Sequence, residues 1–123
     1  MNLTRELLQI VLNDSELQSA LLDYDDFSQI DLKDPENLND HDLNDLKDGV
    51  AYVAKNCFPV IRTYETHPLF ETSPNPITIY GVNGIYAVIY QEIGFEDAFF
   101  FSTEEEAMGY SENAYKTYLD LYT

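Results

Sequence analysis

Leu3, Leu7, Leu8, Val11 and Leu12 recur at helical spacing until Asn13-Asp14-Ser15 interrupts them. Ser15 is then placed to cap a short second helix carrying Leu17, Ala20, Leu21 and Leu22. From Tyr24 to Asn39 the chain is rich in Asp and Asn and contains Pro35, which predicts an acidic loop with room for one helical turn. The clearest helix follows, with Asp40 as the expected N-cap. Leu43, Leu46, Val50, Val53 and Cys57 are spaced 3-4-3-4 and form one apolar stripe, which predicts a small buried cysteine. Asp42, Asp45 and Asp48 fan away from that stripe, with Asp48 nearly opposite it. Pro59 ends this helix or opens the next, because proline is tolerated in a first helical turn but not in an interior. Val60 to Tyr64 fits a helix or a strand, and we read it as helix.

Beyond Pro68, Pro74 and Pro76 the period changes from helical to alternating. Ile77 to Tyr80 is β-branched and aromatic, Asn83-Gly84 is a tight-turn dipeptide, and Ile85 to Tyr90 answers on the far side. Ala98 to Phe101 follows Gly94 as a third run. Ser102-Thr103-Glu104-Glu105 has the form of a capping box, opening a last helix with Ala107, Tyr110, Ala114, Tyr118 and Leu121 on one face. The expected fold is α+β: N-terminal helices, a three-stranded antiparallel β-meander, and a C-terminal helix packed on the sheet. One domain is expected over 1–123, its acidic helical part over 1–66 and its meander plus helix over 77–121.

Composition turns this pattern toward a partner. Twenty-three Asp and Glu stand against six Lys and Arg, a formal charge of −17, against roughly 2–8 units for an ordinary soluble domain. Residues 1–50 carry thirteen acids and three bases, and residues 51–123 ten acids and three bases. High charge alone would predict disorder, but 45% of residues are apolar, with ten Tyr and seven Phe, so the chain can fill a core. Cys57 is alone, which fits a reducing compartment. The first residues show no signal-peptide core, and no apolar run approaches the roughly 20 residues of a membrane span. A cytoplasmic protein with no membrane contact is expected.

Catalytic chemistry finds little support. His41 and His67 are far apart and lack spaced partners for zinc. No Gly-rich phosphate loop is present, since Gly81 and Gly84 belong to the hairpin. Asp40-x-Asp42-x-Asn44 begins like a calcium loop, but its sixth position is Asp45 where Gly is needed, and its twelfth is Ala51 where Glu is needed. Six scattered bases exclude direct nucleic-acid binding. A non-enzyme without cofactor or metal is expected.

An acidic run is usually a solvated face, yet so large an excess costs stability through self-repulsion and calls for a compensating role. Such a field repels nucleic acid and anionic membranes and attracts basic surfaces, of which a nucleic-acid-binding groove is the commonest. Duplex DNA presents about one charge per 1.7 Å of axis, and carboxylates at i, i+3 and i+4 on a helix stand about 5–6 Å apart. Asp40, Asp42, Asp45 and Asp48 begin such a track. Asp23, Asp25, Asp26, Asp31, Asp34 and Glu36 continue it through the loop. Carboxylates also match the fork of Arg as phosphate does.

The segment Asp45-Leu46-Lys47-Asp48-Gly49-Val50-Ala51-Tyr52-Val53-Ala54-Lys55-Asn56-Cys57-Phe58-Pro59 resembles the central helix of the overcome-classical-restriction (anti-restriction) proteins of T7-like phages. The shared pattern is Asp-Leu-x-Asp followed by Ala-x-Asn-x-x-Pro. The resemblance implies a small, acidic, dimeric DNA mimic that occupies the DNA groove of a host restriction enzyme. That family is essentially helical with an acidic tail, whereas residues 77–101 here read as sheet. An anti-CRISPR protein, an inhibitor of a DNA-repair enzyme, or an immunity protein against a basic nuclease toxin would be comparably acidic. A structural or regulatory phage protein is a further alternative.

Both alternating sets along Ile85-Tyr86-Ala87-Val88-Ile89-Tyr90 are apolar, so both faces of the sheet must be covered. The N-terminal helices are expected to cover most of the second face. That leaves a residual Tyr/Phe patch for a modest homodimer.

Overall fold

The computed structural model describes residues 3–24, 38–66, 75–82, 84–92 and 95–121. Among them, helices α1 (Arg5–Leu12), α2 (Ser15–Tyr24) and α3 (Asp40–Cys57) precede strands β1 (Val60–Tyr64), β2 (Ile77–Val82), β3 (Ile85–Glu92) and β4 (Phe95–Phe101), and α4 (Glu104–Leu121) closes the fold. The α+β class is as the pattern predicts. The sheet, however, has four antiparallel strands in the order β1-β2-β3-β4, one more than expected.

The additional strand is Val60–Tyr64, which the sequence reading made helical. Pro59 cannot continue α3, and the β-branched Val60, Ile61 and Thr63 favour an extended chain. Tyr64 pairs with Ile77 and Val60 with Tyr80, with a bulge between Val60 and Arg62. The β2–β3 hairpin pairs Val82 with Ile85, and Gly84 adopts φ +87°, a left-handed conformation that costs glycine little. β4 is longer than predicted and pairs along its length with β3, from Tyr86 with Phe101 to Glu92 with Phe95.

Alternation divides the sheet between two cores. Ile85, Ala87, Ile89, Ala98 and Phe100 pack with buried leucines and valines of α1, α2 and α3. Ile77, Ile79, Val88 and Phe101 face the other way and pack with Tyr64 and Ala107 of α4. Helices of the same chain thus cover both faces. Each fully buried Leu, Ile or Phe contributes on the order of 1.5–3 kcal/mol of transfer free energy, and Leu46, Val50 and Val53 fix which side of α3 faces the sheet.

Each predicted cap shifts by one residue. Asn39, not Asp40, caps α3 and forms a reciprocal box with Asp42. Asp14, not Ser15, accepts from the backbone N–H of Glu16 and Leu17 at the start of α2, at 2.9 and 3.2 Å. Thr103, not Ser102, accepts from the N–H of Glu106 at 3.2 Å. Cys57, expected within the stripe, is exposed. Phe58, the next residue, is buried instead. No helix among the described residues is long and apolar enough to cross a membrane.

Candidate functional site

Helix α3 presents its charge outward because its apolar stripe faces the sheet. At about 100° per residue, His41, Asp45, Asp48 and Tyr52 follow one another at i+4, i+3 and i+4 along the solvent side. Asp45 and Asp48 are exposed, with His41 Nε2 3.4 Å from the Asp45 carboxylate. Asp40 is exposed at the first residue of the helix. Asp42 departs from the row: it is half-buried, and its carboxylate accepts from the N–H of Asn39 at 3.3 Å. The cap that starts the helix therefore engages it. Asp23 is exposed near the end of α2. Asp25, Asp26, Asp31, Asp34 and Glu36, like His67, lie outside the described residues.

Two aromatic residues that the charge pattern did not single out complete this face. Tyr24, next to Asp23, packs on Tyr52 with ring centroids 5.0 Å apart. Their rings, together with Asp48, Lys55 and Glu96, line a cleft of about 220 Å³ between the helices and β4. Tyr52 was discernible in sequence: it stands one turn beyond Asp48, opposite the Leu43–Val53 stripe. Tyr24 was not, because its position depends on how α2 crosses α3.

The bases beside these acids pair with other groups. Lys47 Nζ reaches past the edge strand to Asp97 at 2.6 Å and lies 5.5 Å from the centre of the Phe99 ring. Lys55 meets Glu96 at 2.5 Å. Arg62 stands 3.7 Å from Glu112, and Arg5 Nε donates to the carbonyl of Leu38 at 2.8 Å. Both lysines of α3 are therefore tied to β4. Among the described residues no Lys or Arg forms an ion pair with Asp40, Asp45 or Asp48.

Burial raises the Tyr110 hydroxyl above its ordinary value, and the nearby Asp97 adds to the effect. Burial also raises Tyr64, which Arg62 partly offsets and Glu112 reinforces. These tyrosines lie on the α4 side of the sheet, away from the acidic row. Among the described residues no three His, Cys, Asp or Glu side chains stand together as a metal set. What the α3 face offers is recognition: carboxylates for Arg and Lys, and tyrosine rings over which a cation can lie.

No protein-family model, curated protein or solved structure matches the chain.

Proposed function

We propose that this protein is an acidic DNA mimic, encoded by a phage or mobile element, that inhibits a host DNA-binding defence enzyme in the bacterial cytoplasm by occupying its DNA-binding groove. Restriction and CRISPR effectors are the enzymes in view. The observation that carries this reading is that Asp40, Asp45 and Asp48 of α3 face solvent with no ion pair to Lys or Arg among the described residues, while Lys47 and Lys55 pair with Asp97 and Glu96 of β4. A basic groove that meets this face releases condensed counterions much as it does on DNA. The protein then acts by stoichiometric occupancy, without turnover, cofactor or metal.

The Tyr24–Tyr52 pair favours a second reading, an immunity protein for a basic nuclease toxin. Exposed tyrosines beside carboxylates are the residues from which protein–protein hot spots are built. Inhibition of a DNA-repair enzyme would use the same chemistry.

The test is capture of partners from a nuclease-treated bacterial lysate on the immobilised protein, with elution by duplex DNA or by rising salt. A DNA-binding enzyme released by both, and lost with Asp45→Asn/Asp48→Asn, is the expected result. A partner whose retention ignores salt and DNA would overturn the mimicry, and a captured secreted nuclease would favour immunity. In activity assays inhibition should saturate near one protomer per site; inactivation at much lower ratios would reveal an enzyme.

A further inference from the structure

The cleft between the helices and β4 has room for one guest side chain. Its volume of about 220 Å³ falls below the roughly 300 Å³ at which small-molecule pockets begin. Ala51 and Ala98 line it and both are buried, so its depth comes from side chains that stop at Cβ. Tyr24 and Tyr52 form its aromatic wall, 44% and 38% exposed. They hold each other at 5.0 Å between ring centroids, with planes tilted by 36°. The wall is preformed and needs no rearrangement to receive a guest.

Charge selects that guest. Three ionised groups of the lining are already paired, Lys55 with Glu96 at 2.5 Å and Asp97 with Lys47 at 2.6 Å. Asp48 remains, exposed and without an ion pair among the described residues. With those pairs neutral, the cleft keeps one uncompensated carboxylate, which a single cation matches. Asp48 and Tyr52 stand one turn apart on α3, and side chains at i and i+4 have Cβ atoms about 5–6 Å apart. A cation on that carboxylate is within reach of the ring. Planarity separates arginine from lysine. A guanidinium stacks on a ring while its N–H fork meets a carboxylate, whereas an ammonium is a compact, strongly hydrated point charge. The fold makes this arrangement once within itself: Arg62 Cζ lies 4.5 Å from the Tyr64 ring centroid, and Arg62 Nη1 stands 3.7 Å from the Glu112 carboxylate. Lys47, by comparison, stays 5.5 Å from the centre of Phe99.

We infer that this cleft is a socket for one arginine side chain of the partner protein, whose guanidinium lies over Tyr52 and donates to the Asp48 carboxylate. The inference rests on α3 being the partner-binding face and specifies what enters it.

The socket is tested without the partner, so its failure is distinct from a failure of the mimicry reading, which capture from the lysate decides. N-acetyl-arginine amide is titrated into the isotope-labelled protein at physiological salt, where screening over about 8 Å weakens diffuse attraction to exposed acids. N-acetyl-lysine amide is the control of equal charge. The expected result is a saturable change in the amide signals of Asp48 and Tyr52, with an upfield shift of the arginine Cδ protons under the tyrosine ring current. The lysine amide should bind more weakly and show no comparable shift. Asp48→Asn and Tyr52→Leu, both at exposed positions, should each weaken arginine binding about two- to fivefold, the size of an exposed ion pair or cation–π contact. Asp45→Asn, on the same row but outside the cleft lining, should change it much less. Three results would each overturn the proposal: equal binding of the lysine amide, unchanged binding by a folded Asp48→Asn or Tyr52→Leu protein, or signal changes at Asp40 and Asp45 as large as those at Asp48. The last would mark a diffuse acidic surface in place of a socket.

Discussion

At Gly81 of β2 a Cβ would stand 2.5 Å from Ile61 Cδ1 and closer still to the Tyr86 ring. Strand β1 and the β3 aromatic close over this backbone because nothing projects from it. Gly81→Ala should therefore lower stability by about 1–3 kcal/mol, the usual cost of overpacking, read as a shifted denaturation midpoint in urea. Gly109 is the opposite case, exposed in the middle of α4 with no atom within 4 Å of its Cβ position. Gly109→Ala should raise stability by about 0.5–1 kcal/mol through helix propensity and a less flexible unfolded chain. If both substitutions had the same sign, the contrast between a close approach and open space would be wrong. Cys57, exposed at the end of α3, should react with a thiol reagent in the native protein as fast as in urea.

At the scale of the element, α3 assigns its acids two roles that a count of charges cannot separate. Asn39 and Asp42 close a capping box, with Asn39 Oδ1 accepting from the Asp42 N–H at 2.9 Å. Asn39→Ala should cost about 1 kcal/mol, within the 0.5–2 kcal/mol span of lost caps. Asp42→Ala should also lower the thermal midpoint. Asp45→Asn/Asp48→Asn should leave the midpoint unchanged or raise it, since only repulsion is removed. A midpoint lowered by the second pair would show that Asp45 and Asp48 hold the fold together and would weaken their assignment as a binding row. The Arg62–Glu112 pair between β1 and α4 is half-exposed, and its loss should cost under about 1 kcal/mol.

Across the whole molecule, salt should act on folding and binding with opposite signs. A surface of charge −17 repels itself, and shortening the Debye length to about 8–10 Å relieves that repulsion. The thermal midpoint should rise with added sodium chloride while partner affinity falls. If both fell, specific ion pairs would outweigh net repulsion. Alkali supplies a second test. Tyr64 and Tyr110 are raised above 10.0 in the fold, so above that pH the unfolded chain loses protons that the native chain retains. Their contribution is intact below 10.0 and disappears as the pH climbs through the folded values. Stability should decline from that point, and less steeply in Tyr64→Phe. Because the Tyr64 hydroxyl is buried with no hydrogen-bond partner among the described residues, that substitution should cost little at neutral pH.

Local pattern in the sequence determined α1, α2, α3, the β2–β3 hairpin, the β3–β4 pairing and α4, because each is set by residues close in sequence. It also determined that both faces of the sheet are buried, since two apolar sets alternate along Ile85–Tyr90. Tertiary structure decided the rest. Val60–Tyr64 fitted a helix or a strand by its local pattern, and the edge of β2, which pairs Tyr64 with Ile77 and Val60 with Tyr80, decided between them. Asp42 left the acidic row because a cap is set by backbone geometry at one residue, and a shift from Asp40 to Asn39 reassigns the carboxylate three positions on. The Tyr24–Tyr52 pair depends on how α2 crosses α3, and the capture of Lys47 and Lys55 on how α3 meets β4. A count of acids gives a net field; only packing determines where cations cancel it and where carboxylates remain facing solvent.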